Sequence, residues 1–119
     1  MLLECKRSRI SNYLSDNDVN YMSILINSID INFDINYLLY NSDEIDYCDC
    51  LNIVDLTKQS IDNNTIFEID LGNNIKRPII SPIPSMIPKG SQPLSLDNIE
   101  WLSNLCFFLT KAENGVIIK

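Results

Sequence analysis

The side chains most able to ligate a metal are four cysteines and 16 carboxylates; the chain has no histidine. Cys48-Asp49-Cys50 reads as part of a strand, which would put both thiols on one face. With Cys5 and Cys106, four sulfurs would suit tetrahedral zinc, but structural zinc sites space their paired cysteines about two to four residues apart, and no second pair exists. Free, mostly buried thiols are the expectation, with no metal and no cofactor. Asp30, Asn32 and Asp34 occupy the first alternate positions of a calcium loop. Ile35 stands where the sharp turn needs glycine, and Asn41 where the bidentate glutamate belongs, so these residues read as a wet strand face. Asp16, Asp18 and Asn20 fail in the same way.

Hydrolytic chemistry is poorly supplied. Without histidine the chain lacks the commonest general base and the Ser-His and Cys-His nucleophile pairs. Gly72, Gly90 and Gly115 lie too far apart to build a phosphate loop. Paired carboxylates remain, but nothing singles out two of them, and an enzyme is not expected. Phosphate binding wants Lys and Arg, whereas the net charge is −7. The basic groups Lys6, Arg7 and Arg9, and Lys76 with Arg77, read as solvated faces, and direct nucleic-acid binding is not expected.

Charge distribution is the informative feature. No Lys or Arg occurs between Arg9 and Lys58, and that segment holds Asp16, Asp18, Asp30, Asp34, Asp43, Glu44, Asp46, Asp49 and Asp55. It also holds every tyrosine: Tyr13, Tyr21, Tyr37, Tyr40 and Tyr47. Carboxylates steer a basic partner, and tyrosine rings supply contact area at low entropy cost. An unused acidic surface would intersperse both signs to relieve self-repulsion. The sequence therefore points to a non-enzymatic inhibitor of a basic protein, such as a nuclease or a nucleoprotein complex. An immunity protein or antitoxin, or a phage anti-defence protein of the anti-CRISPR type, has this character. The expected contact residues are Tyr37, Tyr40, Asp43, Glu44, Asp46, Tyr47, Asp49 and Asp55, densest at a turn over residues 43–49. The competing expectation is a viral or phage accessory protein that acts by homo-oligomerisation. Abundant Ile and Asn with scarce Gly and Ala suit an AT-rich source: a phage, a virus, a mobile element or an AT-rich bacterium.

These residues need elements to hold them. The length, 119 residues, and an apolar fraction of 45% suit one domain with its own core. No run approaches the ~20 apolar residues of a membrane span, and the N-terminus lacks the order of an export signal, so a cytoplasmic protein is expected. Residues 2–10 alternate weakly and read as a first strand. Ser15 caps a helix carrying Val19, Met22, Leu25, Ile26 and Ile29. Ile31, Phe33, Ile35, Tyr37 and Leu39 alternate with polar residues and read as a strand, as do residues 47–56. Residues 65–71 and 75–80 read as a hairpin around Gly72. All five prolines fall within 78–93, an extended connection. Ser95 caps an amphipathic helix with Ile99, Leu102, Leu105, Cys106 and Leu109 on one stripe, ended by Asn114-Gly115 before a closing strand at 116–118. The sum is an α+β domain: a mainly antiparallel sheet with one or two helices, including a C-terminal amphipathic helix.

Overall fold

The computed structural model describes residues 1–62, 66–73, 75–80 and 89–119. It has an α+β fold with antiparallel sheets. The element order is β1 (Leu2–Cys5), β2 (Ser11–Tyr13), α1 (Asp16–Asn27), α2 (Ile35–Asn41), β3 (Glu44–Ile45), α3 (Tyr47–Asp62), β4 (Ile66–Gly72), β5 (Ile75–Ile80), α4 (Leu96–Thr110) and β6 (Val116–Ile118). One sheet has the order β2-β1-β6-β3, and β4 and β5 form a separate hairpin. The first and last strands are neighbours, with Leu3 opposite Ile118 and Cys5 opposite Val116.

The four-stranded sheet is wet on one side. Leu3, Cys5, Ile45 and Val116 turn into the core. Glu4 faces the other way and takes ion pairs from Arg9 and Lys119, each at 2.8 Å. This one-face burial suits an antiparallel sheet. The first strand is shorter than expected because Arg9, in left-handed backbone at φ 63°, turns the chain back and its N–H donates to the Cys5 carbonyl.

The expected helix after Ser15 forms with a full capping box. Ser15 Oγ accepts from the Asp18 N–H, and Asp18 returns a bond to the Ser15 N–H. Its buried stripe is Val19, Tyr21, Met22, Leu25 and Ile26. The expected helix after Ser95 also forms, burying Leu102, Leu105, Cys106, Phe108 and Leu109. The antiparallel pair of strands Ile66–Gly72 and Ile75–Ile80 and the closing strand are present as read.

Two expected strands are helices. In residues 31–39 the alternation is overridden by local capping. Asp30 Oδ1 accepts from the Asn32 N–H and makes a turn; Asp34 Oδ1 accepts from the Tyr37 N–H and starts α2. Ile35 and Leu39, four residues apart, then bury together, while Ile31 is left 82% exposed. In residues 47–56 the deciding residue is Asp46, whose Oδ1 accepts from the Asp49 N–H. The buried positions of α3, Cys50, Ile53, Val54, Thr57 and Ser60, follow a helical period. Thr57 and Ser60 satisfy their hydroxyls on the Ile53 and Thr57 carbonyls, so a helix tolerates them in the core. Pro78 lies inside β5, so the extended connection starts later than residue 78. Most of that connection, residues 81–88, lies outside the described residues.

Gly115 joins the sheet to α4. Its φ is +90°, and an added Cβ would stand 2.6 Å from the Ile45 carbonyl oxygen, which is backbone. Gly115→Ala is expected to lower stability by about 2–3 kcal/mol from backbone strain, measured as a shifted urea midpoint. A change below ~0.5 kcal/mol, the size of a neutral surface substitution, would show that this turn does not need glycine.

Candidate protein interface

The eight expected contact residues fall on α2 (Tyr37, Tyr40), on β3 (Glu44), on the residues flanking β3 (Asp43, Asp46) and on α3 (Tyr47, Asp49, Asp55). Tyr37 and Tyr40, three apart on α2, share one side of it and are 65% and 51% exposed. The Tyr40 hydroxyl donates to Asp16 Oδ1 at 2.5 Å, which fixes the ring. That bond to a carboxylate, with some burial, pushes the Tyr40 phenol up to about 12. Asp16 is therefore part of the surface. Its role was hidden in the sequence, because the two residues lie 24 positions apart.

Asp43 is exposed, and its carbonyl accepts from the Ile118 N–H at 2.8 Å, which ties the turn to the sheet. Glu44 pairs with Lys6 at 2.7 Å. The acidic segment thus has a basic counter-ion after all, brought by the fold from the turn that follows β1. The N-terminal basic cluster is committed in the same way. Arg7 meets Glu113 at 3.1 Å, and Arg9 meets Glu4. Exposed pairs of this kind contribute little stability, on the order of 0–1 kcal/mol, but they remove a positive patch from the surface.

Asp46 is exposed and caps α3. Tyr47 is half-buried and donates to the Thr110 carbonyl at 2.9 Å, so it belongs to the join between α3 and α4. Asp49 is half-buried; burial and the nearby Asp46 push its carboxyl up. Asp55 stands two turns further along α3, exposed, and accepts from Gln59. The side chains that face solvent together with the tyrosines are therefore Asp16, Asp43 and Asp46, while Tyr47 and Asp49 serve the scaffold and Asp55 is set apart.

The cysteines do not converge as a strand would have arranged them. On α3, residues two apart lie on nearly opposite faces. Cys48 is exposed, while Cys50 is buried and its thiol is pushed up to about 12 by burial, then by Asp46 and Asp49. Cys5 and Cys106 are buried free thiols.

A second polar constellation escaped the sequence reading altogether. Glu68 on β4 is only 4% exposed. Its Oε2 accepts from the Tyr21 hydroxyl at 2.6 Å, from Asn98 Nδ2 at 2.9 Å and from the Ser95 N–H at 3.3 Å. Lys76 stands 3.9 Å from Oε1. Trp101 packs edge-on against Tyr21 and donates to Asn98 Oδ1 at 2.7 Å. Burial pushes the Glu68 carboxyl up, but the bonds from Tyr21, Asn98 and Ser95 outweigh it and hold the group below its ordinary value. Three donors on one buried oxygen, drawn from α1 and the start of α4, make Glu68 a fastening point for the hairpin. Only its place in an alternating strand was legible.

A scan against protein-family models finds no matching family, and searches of curated proteins and of solved structures find no match. Among the described residues, no helix is long and apolar enough to cross a membrane, and no group of three or more acidic or cysteine side chains is placed to hold a metal ion.

Proposed function

We propose that this protein is a small non-enzymatic inhibitor that works in the cytoplasm by occluding a basic protein partner. The face offered is the exposed side of α2 with the starts of α1 and α3. The observation that carries this reading is two exposed tyrosine rings on a segment whose exposed charged side chains are all carboxylates. Tyr37 and Tyr40 are exposed on α2, Asp16, Asp43 and Asp46 are exposed on the flanking segments, and Tyr40 is already held in place by Asp16. A ring immobilised before binding loses less side-chain entropy on binding. Lysine and arginine are absent from the whole of residues 10–57, so the face repels acidic proteins and nucleic acid and attracts a cationic cleft. The phosphate-binding cleft of a nuclease, or of a nucleoprotein defence complex, has that chemistry. Carboxylates would occupy its phosphate subsites while the rings pack on its walls. An immunity protein, an antitoxin or a phage anti-defence protein would all act this way.

The test is affinity capture from the native host, then kinetics with the purified prey. A basic nuclease or nucleoprotein is expected, inhibited on binding, with an association rate that falls on the order of tenfold or more from low to physiological salt. A partner whose association ignores salt, or whose activity survives saturation, would sink this reading. A second reading rests on Phe107, which is 68% exposed on α4 beside an apolar cleft lined by Ile61 and Cys106. Homo-oligomerisation through α4 would show in sedimentation as a salt-insensitive dimer.

A further inference from the structure

Helices α3 and α4 pack side by side, and a cavity of about 310 Å³ opens between their second halves. Ile61 from α3, with Cys106 and Phe107 from α4, gives it an apolar floor. The Phe107 ring is 68% exposed and stands outside the stripe that α4 buries in the core. It is therefore free to serve the cleft.

The only charged residues lining the cavity are Lys58 and Lys111. They come from opposite walls, one on α3 and one at the end of α4. Lys111 lies over the Phe107 ring, its Nζ 5.2 Å from the centroid. Of the nine basic residues, Lys6, Arg7, Arg9, Lys76 and Lys119 are each ion-paired. Among the described residues, Lys58 and Lys111 take part in no ion pair. The carboxylates closest to them in sequence do not line the cavity. Asp55 and Asp62 lie a turn to either side of Lys58, and Asp55 accepts from Gln59. Glu100 lies on α4 outside the cavity, and Glu113 is held by Arg7. Lys111 also offsets the negative end of the α4 dipole, so Lys58 is the less committed cation.

The lining limits what fits. A volume of about 310 Å³ is at the small end for ligand sites, roughly 300–1,000 Å³. An apolar floor takes an apolar body, and two ammonium groups without counter-ions take an anion. The net charge of −7 repels a polyanion or an anionic membrane, which must approach much of the surface at once. A small monoanion escapes most of that repulsion, because charges beyond about 8 Å are largely screened at physiological salt. A twofold contact of this face with itself would bring four lysines together and add no carboxylate from the cleft.

We infer that this cleft binds a small anionic amphiphile, a carboxylate carrying a short apolar chain. Lys58, assisted by Lys111, holds the head group, and the chain lies along Ile61, Cys106 and the ring of Phe107. The site is opposite in sign to the α2 face and does not rest on the inhibitor reading. It competes with the oligomer reading for the same ring.

The test is titration of the intact, isotopically labelled protein with octanoate below its micelle concentration, followed by NMR. Saturable shifts are expected at Ile61, Cys106 and Phe107, with Tyr37 and Tyr40 unmoved. Acetate keeps the head group without the chain, and octylamine keeps the chain with the opposite charge. Each should bind more weakly by on the order of tenfold or more. Lys58→Gln and Phe107→Ser, both at exposed positions, should keep the fold and each weaken octanoate by on the order of tenfold. The inference is overturned if octanoate gives no saturable shift, if octylamine binds as tightly, or if both variants bind as the parent does. A dimer of the ligand-free protein that Phe107→Ser abolishes in sedimentation would give the cleft to a second copy and overturn it. Capture by anionic vesicles without binding of free octanoate would assign the cleft to a membrane surface and also overturn it.

Discussion

Glu68→Ala is expected to lower the unfolding free energy by about 3–5 kcal/mol, the range for breaking a buried charged network by removing one partner. The substitution leaves the Tyr21 hydroxyl, Asn98 Nδ2 and the Ser95 N–H without their acceptor in a site where Glu68 itself was 4% exposed. Each stranded donor costs about 1–3 kcal/mol, partly relieved if water enters. It also unfastens the hairpin from α1 and α4. Tyr21→Phe, which removes one donor and keeps the ring against Trp101, should cost about 1.5–3 kcal/mol. Urea unfolding with a constant slope measures both. A loss below ~1 kcal/mol for Glu68→Ala would mean that the hairpin is held by apolar contact alone. The pH dependence gives a second readout. The folded-state value of Glu68 lies below the ordinary 4.5, so its contribution is present above that value and is lost as pH falls through the folded value. Tyr21 works from the other end: burial, then the bond to Glu68, raise its phenol. Its contribution is present below the ordinary tyrosine value of about 10 and fades as pH rises through the folded value. The parent's advantage over Glu68→Gln should therefore shrink in acid, and a flat difference would sink the charged-acceptor account.

Binding of the basic partner should fall on the order of a hundredfold, or ~2.7 kcal/mol, when Asp43, Glu44 and Asp46 become Asn, Gln and Asn together. Most of the loss should lie in the association rate and shrink at high salt, because these charges steer the encounter. The choice of amides matters for the fold. Asp46 caps α3 through Oδ1, and Asn caps as well as Asp does. Glu44→Gln gives up only the partly exposed pair with Lys6. The triple variant should thus keep its stability to within about 1 kcal/mol. Tyr40→Ala should behave differently, slowing nothing in association but raising the dissociation rate, as loss of an aromatic anchor does. Surface plasmon resonance over a salt series separates the two. Unchanged affinity in the triple variant would remove this face from the interface.

The legibility of the chain followed the range of the forces involved. Ser15 with Asp18, Ser95 with Asn98, and the Gly72 turn act within a few residues, and the elements they define were readable. Residues 31–39 and 47–56 were misread because apolar residues at alternate positions fit either period. The small caps Asp34 and Asp46 decided for helix, and a strand reading has no place for them. Cys48 and Cys50 then fell on opposite faces instead of one.

What the sequence determined by itself is the composition of each segment: an acidic, tyrosine-rich first half without Lys or Arg, a proline-bearing connection and an amphipathic last helix. An α+β class follows from the pattern. Only the tertiary structure decided which charges remain available. The strand order β1-β6-β3 brought Lys6, just after β1, to Glu44, so one charge of the basic cluster and one of the acidic segment neutralise each other. The tertiary structure also sank Glu68 beneath Tyr21 and Asn98. The contacts that buried Glu68 join residues 30 and 47 positions apart, and local propensity carries no information about them.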